Sequence, residues 1–125
     1  MTTRFSLGAR IASFGHAIRG LTELLATQHN ARIHAAATLA ACALAGLLGI
    51  SAGEWLALVL AIAAVWSAEA MNTAFEALCD LVSPDRRALV QRVKDVAAGA
   101  VLVSAAGAAT VGLIVFGPRL VNLVR

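Results

Sequence analysis

Long apolar stretches separated by short polar turns constrain this chain more than any other feature. Residues 33–50, from Ile33 to Ile50, contain no Asp, Glu, Lys or Arg, and a run of about 17–20 such residues is what a helix needs to cross the hydrocarbon of a bilayer. A second span is expected from Trp55, whose ring suits the membrane interface, to Val82, where Ser83-Pro84-Asp85 ends it. A third is expected from Val96 to Phe116, stopping at Gly117-Pro118. Its Ala105, Ala108, Ala109 and Gly112 give small-residue faces that allow close helix contact. Leu48 to Glu54 makes the turn between the first two spans, and the turn position weakens a dimerisation reading of Gly49 and Gly53. The expected fold is an all-α membrane protein, one domain over residues 1–125.

Composition agrees. The chain is 60% hydrophobic and 14% charged, whereas a soluble domain runs at about 45–50% and about 25%. Residues 2–29 are the exception to the apolar blocks. Ile11, Phe14, Ile18, Leu21 and Leu25 recur at helical spacing, with Arg10, Ser13, Arg19 and Glu23 mostly off that face. An amphipathic surface helix lying in the interface plane is expected there. Arg4, Arg10, Ser13, His16 and Arg19 interrupt it too often for the apolar core of a signal peptide.

The net charge of +3 does not point to nucleic acid. Of ten basic residues, Arg4, Arg10, Arg19, Arg32, Arg86, Arg87, Arg92 and Lys94 flank apolar helices without forming a dense run, and only Arg119 and Arg125 lie elsewhere. That is the distribution of cytoplasmic loops, so the N-terminus and the Arg86–Lys94 loop are expected inside. Cys42 and Cys79 have no partner spacing for zinc or redox chemistry and read as small hydrophobes. His16, His29 and His34 read as ordinary interfacial histidines.

The chemistry lies in the second span. Glu69, Asn72, Glu76 and Asp80 fall at about 0°, 300°, 340° and 20° around a helix of 3.6 residues per turn. Each charged group near the bilayer centre costs about 2.5–3.5 kcal/mol on insertion scales, so such a stripe must face a water-filled or protein-lined cavity. Carboxylates favour hard cations such as magnesium, which often take one or two of them together with substrate phosphates. Lys94, the only lysine, is followed by Asp95, and an antiparallel third span returns both to the membrane face of Asp80. No GxxxxGK[ST] loop is present, and no Ser-His-Asp set is arranged for acyl chemistry. An oligomeric channel or proton pathway is the alternative that intramembrane acids also support.

The run Glu69-Ala70-Met71-Asn72-Thr73-Ala74-Phe75-Glu76-Ala77-Leu78-Cys79-Asp80, followed by Lys94-Asp95 and the small residues Ala97 to Ala100, resembles the signature of the prokaryotic diacylglycerol kinase family. The resemblance extends over about residues 13–120. Asn30-Ala31-Arg32-Ile33-His34 and Ala97-Ala98-Gly99-Ala100-Val101 are more similar to its undecaprenol kinase branch. What the resemblance implies is a homotrimer of protomers, each with a surface helix and three spans, with active sites between protomers in the bacterial inner membrane, on the cytoplasmic side. It implies transfer of the ATP γ-phosphate, with Mg2+, to a lipid hydroxyl, undecaprenol or else diacylglycerol. Glu69 then stands at the general-base position and Glu76 at that of a metal-binding acid. Asn72, Glu76, Asp80, Lys94 and Asp95 stand at positions that contact nucleotide or metal. The family's second metal-binding glutamate corresponds to Gln28, whose amide can coordinate but adds no negative charge. A weakly active, nucleotide-binding member is the reading that this departure motivates.

Overall fold

The computed structural model describes residues 6–85 and 87–125. Residues 2–5 of the expected surface helix, Arg4 among them, and Arg86 of the expected cytoplasmic loop lie outside the described residues. Four helices follow one another: α1 over Leu7–Thr27, α2 over His29–Leu48, α3 over Ala52–Val82 and α4 over Ala88–Val124. The last three are long and apolar enough to cross a membrane.

Ser6 opens α1, its hydroxyl accepting from the Ala9 amide at 3.4 Å. The stripe Ile11, Phe14, Ile18, Leu21 and Leu25 is exposed, with Phe14 at 72%, and Leu24 alone in the helix is buried. The apolar face of α1 therefore points away from the rest of the chain, as a helix seated in a lipid interface requires.

No glycine or proline separates α1 from α2. Gln28 adopts an extended conformation (φ −103°, ψ 120°), and α2 starts at His29, four residues before the span expected from Ile33. Arg32 stabilises this elbow. Its Nε donates to the Leu25 carbonyl at 2.9 Å and its Nη2 to that of Ala26. A cation thus satisfies carbonyls at the α1 C-terminus, where the helix dipole favours positive charge.

The next turn follows familiar capping rules. Gly49 takes the left-handed conformation (φ 59°, ψ 52°) that favours glycine. Ser51 and Glu54 then form a capping box, with the Ser51 amide 2.7 Å from Glu54 Oε2 and the Glu54 amide 3.3 Å from Ser51 Oγ. Between them Ile50 is buried against Ala45, Leu58, Val115 and Phe116, the apolar core at this end of the bundle.

Packing between α3 and α4 is the principal helix contact, and α2 leans on both. At 1.5 Å per residue, α3 is about 46 Å long and α4 about 55 Å, against a hydrocarbon thickness of about 30 Å. Their hairpin therefore projects beyond the membrane core. The end expected at Phe116 is corrected: α4 runs on through Pro118 to Val124. Proline removes one helical N–H, but a tether beyond it keeps the helix in register. Arg119 donates from Nη1 and Nη2 to Glu54 Oε1 and Oε2 at 2.6 and 2.8 Å, and from Nη1 to the Val115 carbonyl at 2.8 Å.

Candidate functional site

The acidic stripe keeps its helical register on α3. Its burial falls off along the chain: Glu69 is 1% exposed and Asn72 7%, Glu76 is half-buried and Asp80 exposed. The gradient follows depth. With the interface at Trp55 as the sequence predicts, Glu69 lies about 21 Å along the axis, while Glu76 and Asp80 lie about 32 and 38 Å along it, at or past the end of a hydrocarbon layer of about 30 Å. Polar groups at membrane depth must be covered by protein, and those at the edge reach water.

Asn72 donates from Nδ2 to Glu76 Oε1 at 3.1 Å, a contact between successive turns that orients the carboxylate. Asp80 holds Lys94 across the hairpin, with Nζ 2.6 Å from Oδ1. Asp95 is exposed and accepts from Gln91 Nε2 at 2.7 Å, so it faces along α4 and not toward the stripe. Gln28 sits half-buried at the α1–α2 elbow and makes no side-chain capping bond. No hydrogen bond joins Gln28 to Glu76 among the described residues, nor do three His, Cys, Asp or Glu side chains converge to hold a metal ion. The structure thus brings together Glu69, Asn72 and Glu76 as one group, and Asp80 with Lys94 as another.

It also adds a residue that the sequence reading set aside. His34, from the second turn of α2, places its Nε2 3.7 Å from Glu69 Oε2. Both atoms are buried and neither has a hydrogen-bond partner; Asn72 Oδ1 and Thr73 Oγ1 are in the same position. Its sequence signal is an ionisable side chain inside an otherwise uncharged span, which is a functional candidate by default.

From His34 an apolar slot of ≈280 Å³ runs between α2, α3 and α4 toward Phe116. Ala105, Ala108, Ala109 and Gly112, expected to bring helices into close contact, line this slot instead. With side chains this small, the three helices leave space that a larger residue would fill.

Three apolar helices, with polar groups gathered toward one end of α3, define a multi-pass membrane protein. Residues 15–116 match the prokaryotic diacylglycerol kinase family. The chain is 38% identical over 117 residues to an undecaprenol kinase of Bacillus subtilis, which covers 94% of this chain and 95% of that protein. It is also 38% identical over 114 residues to a diacylglycerol kinase of Synechocystis, across 90% of this chain and 65% of that protein's length. This chain belongs to the prokaryotic diacylglycerol kinase family and is a membrane lipid kinase. Membership decides between the kinase and channel readings in favour of the kinase.

Proposed function

We propose that this protein transfers the γ-phosphate of ATP to the hydroxyl of undecaprenol at the cytoplasmic face of the bacterial inner membrane. The observation that carries this reading is the depth gradient on α3. A carboxylate is buried at hydrocarbon depth, where a lipid hydroxyl can reach it, and polar groups continue to the water side, where a nucleotide can. Undecaprenol is favoured over diacylglycerol because the Bacillus relative bearing that activity in its name aligns along almost the whole of both chains. The Synechocystis relative supports diacylglycerol as the second reading.

In this mechanism Glu69 accepts the hydroxyl proton as the alcohol oxygen attacks the γ-phosphorus. A new oxygen–phosphorus bond forms, the bond to the β-phosphate bridging oxygen breaks, and its electron pair leaves with ADP. Lys94, released from Asp80, sets its charge against the transferring phosphoryl group, where catalysis rests on positioning and electrostatics. Asn72 orients Glu76. Mg2+ would be held by the Glu76 carboxylate, with the Gln28 amide and substrate phosphates as further donors, because magnesium is commonly held by few protein ligands. When bound it supplies charge neutralisation at the phosphate oxygens.

The inside assignment is supported by Arg10, Arg19, Arg32, Arg87, Arg92 and Lys94 at the end of the bundle that holds the site. Assembly as a homotrimer belongs to the same reading, as the family resemblance implies. The test is transfer from labelled ATP by the purified protein to undecaprenol and diacylglycerol offered separately, with Glu69→Gln as control. Transfer to undecaprenol that vanishes in the variant is expected. Transfer to neither lipid in excess Mg2+ overturns the reading.

A further inference from the structure

We propose that His34 is a positioning residue for the acceptor: its ring N–H holds the hydroxyl oxygen of a single-chain prenol against Glu69 while the chain lies in the alanine-lined slot. The inference rests on the kinase reading above and specifies its acceptor.

The geometry asks for a third polar group. At 3.7 Å the separation of His34 Nε2 and Glu69 Oε2 is too long for a hydrogen bond between them, and both atoms are buried without partners. Leaving buried polar atoms unpaired is unfavourable, because each loses its hydrogen bonds to water without replacement. An alcohol satisfies both at once. With the ring proton on Nε2, the imidazole donates to the alcohol oxygen, and the hydroxyl donates to Glu69 Oε2. A lone pair remains to attack the γ-phosphorus. As the proton passes to Glu69, the oxygen gains negative charge, which the same N–H stabilises.

The slot specifies what the alcohol carries. It begins at His34, and Ala37, Ala41, Ala61, Val65, Ala105 and Ala108 form its walls over the next turns. Besides His34, its polar lining is Thr38, whose hydroxyl already accepts from Trp66 Nε1 at 3.1 Å. A prenol passes from its hydroxyl-bearing carbon directly into hydrocarbon and asks nothing more of such walls. Diacylglycerol would bring two ester carbonyls into a slot where the Thr38 hydroxyl proton is the one side-chain donor left, so at least one carbonyl would stay unpaired, which is costly there.

The experiment measures steady-state transfer from ATP to undecaprenol and to diacylglycerol in mixed micelles, with wild type, His34→Leu, His34→Gln, His34→Asn and Ala108→Leu. Loss of one such hydrogen bond predicts that His34→Leu lowers kcat/KM for the prenol by about 10–100-fold, with KM for ATP within about twofold of wild type. His34→Gln, which carries an N–H to a similar reach, is expected to recover most of the rate. His34→Asn, too short to do so, is not. Ala108→Leu fills the slot and is expected to raise KM for undecaprenol while leaving KM for ATP unchanged. Wild-type prenol kinetics in His34→Leu, or a parallel rise in KM for ATP, overturns the positioning role. Preferential transfer to diacylglycerol by wild type overturns the prenol assignment. Wild-type failure to phosphorylate either lipid is a different result: it removes the kinase reading itself, and this inference with it.

Discussion

Lys94 Nζ lies 2.6 Å from Asp80 Oδ1, so the last turns of α3 and the first turns of α4 are joined by opposite charges at the mouth of the site. In the proposed reaction the cation must leave that carboxylate for a phosphate. The two residues should then respond differently to substitution. Lys94→Met is expected to lower kcat by about 10²–10³-fold, the loss typical of a removed transition-state donor. Asp80→Asn, which frees the ammonium, is expected to change KM for ATP more than kcat. Initial-rate kinetics over a range of ATP concentrations separates the two, and equal losses of kcat in both variants would sink the distinction.

Glu69 is buried, and its replacement by glutamine keeps the shape while removing the base of the proposed reaction. Glu69→Gln is expected to reduce transfer by at least about 10²-fold, the lower bound for general-base catalysis. Nucleotide affinity, measured by equilibrium binding, should hold. A variant that loses both would place Glu69 in the folding of the bundle and not in the reaction.

At the elbow, Gln28 offers an amide where the family resemblance calls for a carboxylate. Gln28→Glu is expected to lower the Mg2+ concentration that gives half-maximal activity, because a second anionic ligand strengthens a hard-cation site. A magnesium titration at fixed ATP reads this directly. An unchanged midpoint would exclude residue 28 from the metal site.

The opposite end of the bundle should govern stability without touching chemistry. Glu54 caps α3 and grips Arg119 with both carboxylate oxygens. Glu54→Gln can still accept the Ser51 amide, so it isolates the ion pair. A lower thermal midpoint in detergent, with kcat retained, is the expected result. Ser51→Ala removes the cap alone and is expected to cost about 1 kcal/mol. Loss of kcat in either variant would mean that strain at this end reaches the site.

What could be read from the amino-acid order followed from its periodicities. Apolar length marked the membrane helices, and the three- and four-residue spacing of Glu69, Asn72, Glu76 and Asp80 placed them on one face of α3. The features that escaped depend on contacts between distant segments. Pro118 and the preceding Gly117 look like a helix stop, yet α4 continues past them to Arg119, which is held by Glu54, 65 residues earlier in the chain. The end expected for the surface helix at residue 29 lies beside the break at Gln28; what escaped is the contact that secures it, Arg32 folding back from the following helix. His34 looks interfacial beside His29 and becomes a neighbour of Glu69 only once α2 packs on α3. The alanines of α4 suggested contact, yet whether small side chains admit a helix or leave a slot depends on what faces them.

The depth gradient along α3 has a mechanical consequence. A water-borne donor and a membrane-bound acceptor differ by several ångströms in how far they can travel along the bilayer normal, and one rigid helix serves as the ruler between them. Its graduations are single turns. One residue inserted between Glu69 and Glu76 would advance the spacing by about 1.5 Å and rotate one group by about 100° relative to the other. In the proposed reaction the seven-residue interval between those glutamates is therefore as much a part of the catalytic apparatus as the carboxylates themselves.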